Sequence, residues 1–116
     1  MTAPTFQFRA QHPRFLVGVD GDCMEPLIHR GDRIEVDTTL TPAYGDTVVA
    51  EVSGVGLLVK RYEPASAGGW IVALNAAIRY PLDEHCRIIG VVRSVYRFID
   101  TPASRRYFGA RERQVA

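Results

Sequence analysis

The sequence predicts a mainly β protein, an antiparallel sheet with short helical turns, and three observations carry that expectation. Apolar residues recur at strand-like rather than helical spacing over most of the length. The apolar runs are short, rich in Val, Ile and Tyr, and separated by Gly, Pro, Asp and Thr. With 116 residues, 47% of them hydrophobic and 23% charged, the chain holds enough material for one domain and one core.

Taken in order, strands are expected at Arg14–Asp20, Asp32–Asp37, Asp46–Ser53, Gly56–Glu63, Trp70–Asn75 and Arg87–Ile99. The last is long enough to bend or split at Ser94. Thr47–Val52 and Leu57–Tyr62 flank Ser-Gly-Val-Gly, which signals a hairpin because glycine tolerates the positive φ of tight turns. A second hairpin is expected at Pro64–Gly69. Met24–His29 suits one helical turn with Asp22 or Cys23 near its N-cap, Pro26 being confined to the first turn. The organisation expected is an N-terminal arm over 1–10, a domain over 11–99 and a basic tail over 100–116.

Composition excludes several classes of function. A formal charge of +1 does not make the whole molecule a polyanion binder, so no direct sequence-specific DNA binding is expected. Two cysteines, Cys23 and Cys86, are too few for a disulfide framework, and with His12, His29 and His85 they lack the spacing of a metal site. No cofactor is expected. The first residues lack the charged start and apolar run of a secretory signal, and no apolar stretch approaches the roughly 20 residues of a membrane span. A cytoplasmic location with no membrane partner is the expectation. The tail, with Arg105, Arg106, Arg111 and Arg113, reads either as a frayed terminus or as a docking segment for a protein or for DNA phosphates.

The stretch Val19–Asp37 is the most informative. Cys23 falls between a strand end and a turn, where its side chain and its backbone N–H can face one cleft, and it is followed by Met24-Glu25-Pro26 and then Gly31-Asp32 leading into the next strand. Lys60, the sole lysine of the chain, lies in the apolar run Leu57–Tyr62 and shares a strand face with Leu58 and Tyr62. Burial disfavours a charged amine, and a neutral amine can take the proton of a thiol or hydroxyl nucleophile. With the Cys23 N–H as an oxyanion donor, this is a minimal peptidase site. Met24 is expected to pack under the nucleophile turn. Asn75 is expected near the cleft, satisfying backbone groups at a strand end. Asp32 and Asp46, each after a glycine, read as turn residues.

Gly21-Asp22-Cys23-Met24-x-Pro26, Gly31-Asp32-x-Ile34-x-Val36-Asp37, Gly45-Asp46-x-Val48-Val49-Ala50, Val59-Lys60-Arg61, Leu74-Asn75 and Ile89-Gly90-Val91-Val92 resemble, in order and spacing, the C-terminal domain of the LexA/UmuD family of Ser-Lys self-cleaving peptidases. The resemblance runs from about Gln11 to Phe98. It implies a LexA/signal-peptidase-like twisted antiparallel sheet and a peptidase (hydrolase) dyad with Cys23 in the place of the serine and Lys60 as base. Asp22, Met24 and Asn75 would supply the backbone and cleft around it. It further implies a homodimer and a role in the SOS response to DNA damage, with a RecA filament or a translesion DNA polymerase as partner.

Two features depart from that pattern. The expected serine is Cys23, a larger and intrinsically more nucleophilic group. Only 22 residues precede it, and they contain neither Ala-Gly nor Cys-Gly, the kind of small-residue–glycine pair that relatives cut in themselves. The DNA-reading half of the repressors is not expected either. The alternative is therefore a catalytically silent dimeric binding module, such as a processed-UmuD-like polymerase accessory or the dimerisation domain of a phage repressor.

Overall fold

In the computed structural model, which describes residues 13–97, Pro102 and 113–116, alternating apolar residues form a single eight-stranded sheet. The strands are β1 (Arg14–Val19), β2 (Arg33–Asp37), β3 (Thr47–Val52), β4 (Gly56–Ala65), β5 (Gly68–Val72), β6 (Arg79–Pro81), β7 (Cys86–Tyr96) and β8 (Arg113–Val115). Their order across the sheet is β6-β5-β4-β3-β7-β2-β1-β8. Every pairing is antiparallel except that of β8, which runs parallel to β1.

Side-chain alternation builds two apolar cores on opposite faces. Val17, Val19, Ile34, Val36, Val49, Val59, Ile89 and Val115 form the first, with Met24 and Ile28 from the β1–β2 connection. Val48, Ala50, Val52, Leu58, Ile71 and Val91 form the second, flanked by Tyr62, Tyr80 and Ile88. Each fully buried Val or Ile contributes about 1.5–3 kcal/mol. Along β7, Ile89 and Val91 are two residues apart yet serve different cores. The register shifts between Val49↔Gly90 and Ala50↔Ile88, leaving Ile89 as an extra residue, and a bulge of one residue exchanges the faces of the residues beyond it.

Of the bend or split expected at Ser94, the structure has a bulge beside that residue, which bends a strand without breaking it. The strand is continuous, but Glu35↔Ser94 is followed by Val36↔Val92, so Arg93 is the unpaired residue. Gly90 permits a close approach of β7 to β2: a Cβ there would lie 2.7 Å from Val36 Cγ1 and 2.8 Å from the Asp37 carbonyl oxygen.

Four expectations need correction. Met24–His29 forms hydrogen-bonded turns rather than a helical turn. Ile28 N–H donates to the Met24 carbonyl at 2.9 Å, and Pro26 has no N–H with which to extend the pattern; the Glu25–Pro26 peptide is cis. The strand expected at Trp70–Asn75 ends at Val72, because the N–H groups of Leu74 and Asn75 turn away to another acceptor. β6 is an additional strand that the sequence pattern does not predict. The tail is neither frayed nor helical over its last residues, since Arg113–Val115 is β8. The 1–10 arm and nearly all of 98–112 lie outside the described residues.

Candidate active site

The β1–β2 connection carries Cys23, and its geometry is fixed at both ends. At its far end, Asp32 closes the turn by accepting the His29 N–H at 2.8 Å, while its own N–H donates to the His29 carbonyl at 3.0 Å. The Asp32 carboxylate is 1% exposed and receives Arg97 Nε at 2.8 Å and Nη2 at 2.6 Å. Burial alone would raise its pKa, but the Arg97 hydrogen bonds, the His29 N–H and the guanidinium charge together hold it below the ordinary value. The end of β7 is thereby clamped to the turn that holds the nucleophile position.

Asp32→Ala is expected to cost about 1–2 kcal/mol at neutral pH, the lower part of the range for hydrogen bonds to charged groups because Arg97 is half exposed. A carboxylate held below its ordinary pKa in the folded state stabilises above the unfolded-state value, and that contribution is lost as the pH falls through the folded one. Urea titrations at neutral and strongly acidic pH should therefore show wild type and variant converging in acid. A gap that persists there would assign the effect to packing rather than charge.

At its near end the connection is held by the loop after β5. Both Leu74 N–H and Asn75 N–H donate to the Cys23 carbonyl at 2.8 Å. Asn75 Nδ2 donates to the Asp22 carbonyl at 3.3 Å, and that carbonyl also accepts the Glu25 N–H at 3.1 Å. Met24 is buried in the first core beneath the turn. Asp22, Met24 and Asn75 thus surround Cys23, which is half-buried. Asp46 is a turn residue as expected, accepting the Ala43 N–H at 2.8 Å. Leu74 and the Asp32–Arg97 clamp are parts of the site that sequence reasoning misses; main-chain donation and an ion pair spanning 65 residues leave no local pattern.

Lys60 lies within β4. The outer edge of β4 is covered by β5 only from Arg61 onward, so residues 57–60 border a cleft on the β1 side. Lys60 is 2% exposed. Its ammonium donates to the carbonyls of Val59 at 3.1 Å and Ala116 at 3.3 Å. Burial pushes its pKa below the ordinary lysine value, and Cys23, the titratable group that interacts with it electrostatically, pulls in the opposite direction. Cys23 lies 37 positions before Lys60 in sequence. At Cys86, burial and the nearby Asp83 raise the thiol pKa. A cavity of about 520 Å³ opens at the β3–β4 turn, lined by residues that include Glu51, Ser53 and His85, and no candidate site residue lines it.

The family model described as Peptidase S24-like matches residues 1–93. The chain belongs to the Peptidase S24-like family. No curated protein is similar enough to the chain to count as a match. No helix among the described residues is long and apolar enough to cross a membrane.

Proposed function

We propose that this S24-like chain is a peptidase of the nucleophile–lysine type in which Cys23 attacks and Lys60 carries the proton. The observation that supports it most is the sole lysine almost wholly shielded from water, with Cys23 as the charge that opposes the lowering of its pKa by burial. A lysine that burial holds below its ordinary pKa has a larger neutral fraction and is a better base. The neutral Lys60 amine takes the Cys23 thiol proton, and the sulfur adds to the carbonyl carbon of an extended peptide. The Cys23 N–H is the assigned donor to the resulting oxyanion. As the C–N bond breaks, Lys60 returns the proton to the leaving amine and a thioester remains. Water then yields a proton to Lys60 and adds to the thioester, releasing a carboxylate and restoring the thiol.

The resemblance to LexA and UmuD extends the proposal to a homodimer in the cytoplasmic SOS response, with a RecA filament or a translesion polymerase as partner. Iodoacetamide labelling followed by peptide mapping tests the dyad. Cys23 is expected to react about tenfold or more faster than Cys86, whose thiol is held protonated, and Lys60→Ala should remove most of the difference. Equal rates at both cysteines, unchanged by the substitution, would count against an activated pair. Incubation at raised pH, which deprotonates lysine, provides the second test. A fragment that wild type forms and Cys23→Ala does not supports the peptidase, whereas an intact chain under all conditions favours the silent binding module.

A further inference from the structure

The cleft between β1 and the Leu57–Lys60 edge of β4 is occupied by the chain itself. β8 runs alongside β1 with Val17↔Arg113, Gly18↔Gln114 and Val19↔Val115 in register, and Asp20 N–H donates to the Val115 carbonyl at 2.7 Å. One residue further on, the contacts pass to β4. Ala116 N–H donates to the Leu57 carbonyl at 3.3 Å, and the Ala116 carbonyl accepts the Val59 N–H at 2.7 Å. Bonds from one residue to the two neighbours of Leu58 are the pattern of a parallel bridge. The same carbonyl accepts the Lys60 ammonium at 3.3 Å. A main chain in extended form is thus gripped from both sides, and the carbonyl it presents to the amine belongs to Ala116.

One side chain is selected as well. Val115 is 2% exposed and packs in the first core with Met24 and Val59. Ala116 lies against Gly21, where a Cβ would be 3.5 Å from the Ala116 carbonyl carbon, 3.6 Å from its Cα and 3.9 Å from its Cβ. A larger residue in place of Val115 would compete for core space, whereas Ala116 is exposed and its approach to Gly21 leaves room. The seat therefore has a deep apolar position followed by a shallow one, the latter against Gly21, two residues from Cys23 in the chain.

We infer that this cleft is a β-strand-accepting peptide site selective for a branched apolar residue at its buried position, and that residues 113–116 fill it in cis, competing with any other peptide. The inference rests on the peptidase reading for the fate of a bound peptide, but not for the seat itself. It makes the segment an internal inhibitor shaped like the substrate class: main-chain hydrogen bonds give affinity, and alternate side chains give specificity, as in other cases of strand addition.

Amide hydrogen exchange and peptide binding test it. In the full chain the Val59 and Asp20 amides should be protected; Ala116→Pro, which removes the N–H donated to Leu57 while keeping Val115 in the core, should speed Val59 exchange by about tenfold or more with Ile34 unchanged. A fluorescein-labelled Arg-Gln-Val-Ala peptide should bind a variant lacking 113–116 more tightly than it binds the full chain, by about tenfold or more, and an Arg-Gln-Asp-Ala version should not. Where the deletion does not fold, the same peptide is tested on full-length Ala116→Pro. Unchanged Val59 exchange in Ala116→Pro, or equal peptide binding with and without the segment, overturns the inference. The two proposals separate cleanly. Lys60-dependent alkylation of Cys23 with an unprotected Val59 amide sinks the seat and leaves the peptidase. A protected Val59 amide with Lys60-independent alkylation sinks the peptidase and leaves a peptide-binding cleft.

Discussion

Lys60→Met is expected to lower any Cys23-dependent peptide cleavage by about 10²–10⁴-fold, the range for loss of a general base, and at the same time to make the protein more stable near neutral pH. The two effects have one cause. Lys60 is buried among Leu58, Val59 and Val48 across the β3–β4 ladder, and burial lowers its pKa below the ordinary value. The folded state therefore binds the Lys60 proton less tightly than the unfolded state does. Stability is reduced at pH values below the folded pKa, and it recovers as the pH rises through that value toward the ordinary lysine pKa. Methionine keeps nearly the length of the side chain and removes this penalty, a gain of about 0.5–2 kcal/mol. Urea unfolding across neutral to alkaline pH checks it: the advantage of the variant should shrink as the pH rises. A Lys60→Met variant that is less stable than wild type at every pH would mean that the amine's hydrogen bonds to Val59 and Ala116 outweigh its desolvation.

Gly90→Val is expected to destabilise the fold by about 2–3 kcal/mol, with Gly90→Ala already costing more than about 1 kcal/mol. The first side-chain atom would meet Val36 Cγ1 at 2.7 Å and the Asp37 carbonyl oxygen at 2.8 Å, and the second obstacle is main chain that has little freedom to yield. Asp37, 3% exposed, accepts the Thr39 N–H at 2.8 Å and the Thr39 hydroxyl at 2.6 Å, and Arg14 and Arg93 flank its carboxylate. Equilibrium unfolding of the alanine variant decides the matter, and a change within about 0.5 kcal/mol, typical of an unconstrained surface position, would show that β2 and β7 can separate there at little cost.

The central strands are legible in the sequence because their chemistry repeats locally. Ile34-Glu35-Val36 and Thr47-Val48-Val49-Ala50 carry the sheet period in their own residues, and the apolar run around Lys60 already marks its amine for burial. The elements that local reading misses depend on distant partners. β6 is three residues, Arg79-Tyr80-Pro81, too short for any period to show. β8 follows an arginine-rich stretch and has a single buried apolar residue, Val115, whose place among Val17, Val19 and Met24 no local pattern discloses. β5 ends earlier than its sequence suggests because Leu74 and Asn75 extend the strand-like run while their N–H groups serve Cys23. The helical turn expected at Met24–His29 is absent for a related reason, as the segment takes its conformation from its anchors: Asp32 at one side and the 74–75 backbone at the other.

That grip limits how the chain can vary. Because the Cys23 carbonyl hangs from two successive amides of a six-residue excursion, closed by Ala73 N–H on the Ile78 carbonyl at 2.9 Å, lengthening or shortening the excursion by one residue would rotate one of those amides away and loosen the Cys23 backbone. Homologues that retain chemistry at this position should hold the span between the fifth and sixth strands constant, even where the neighbouring β4–β5 turn changes freely in size.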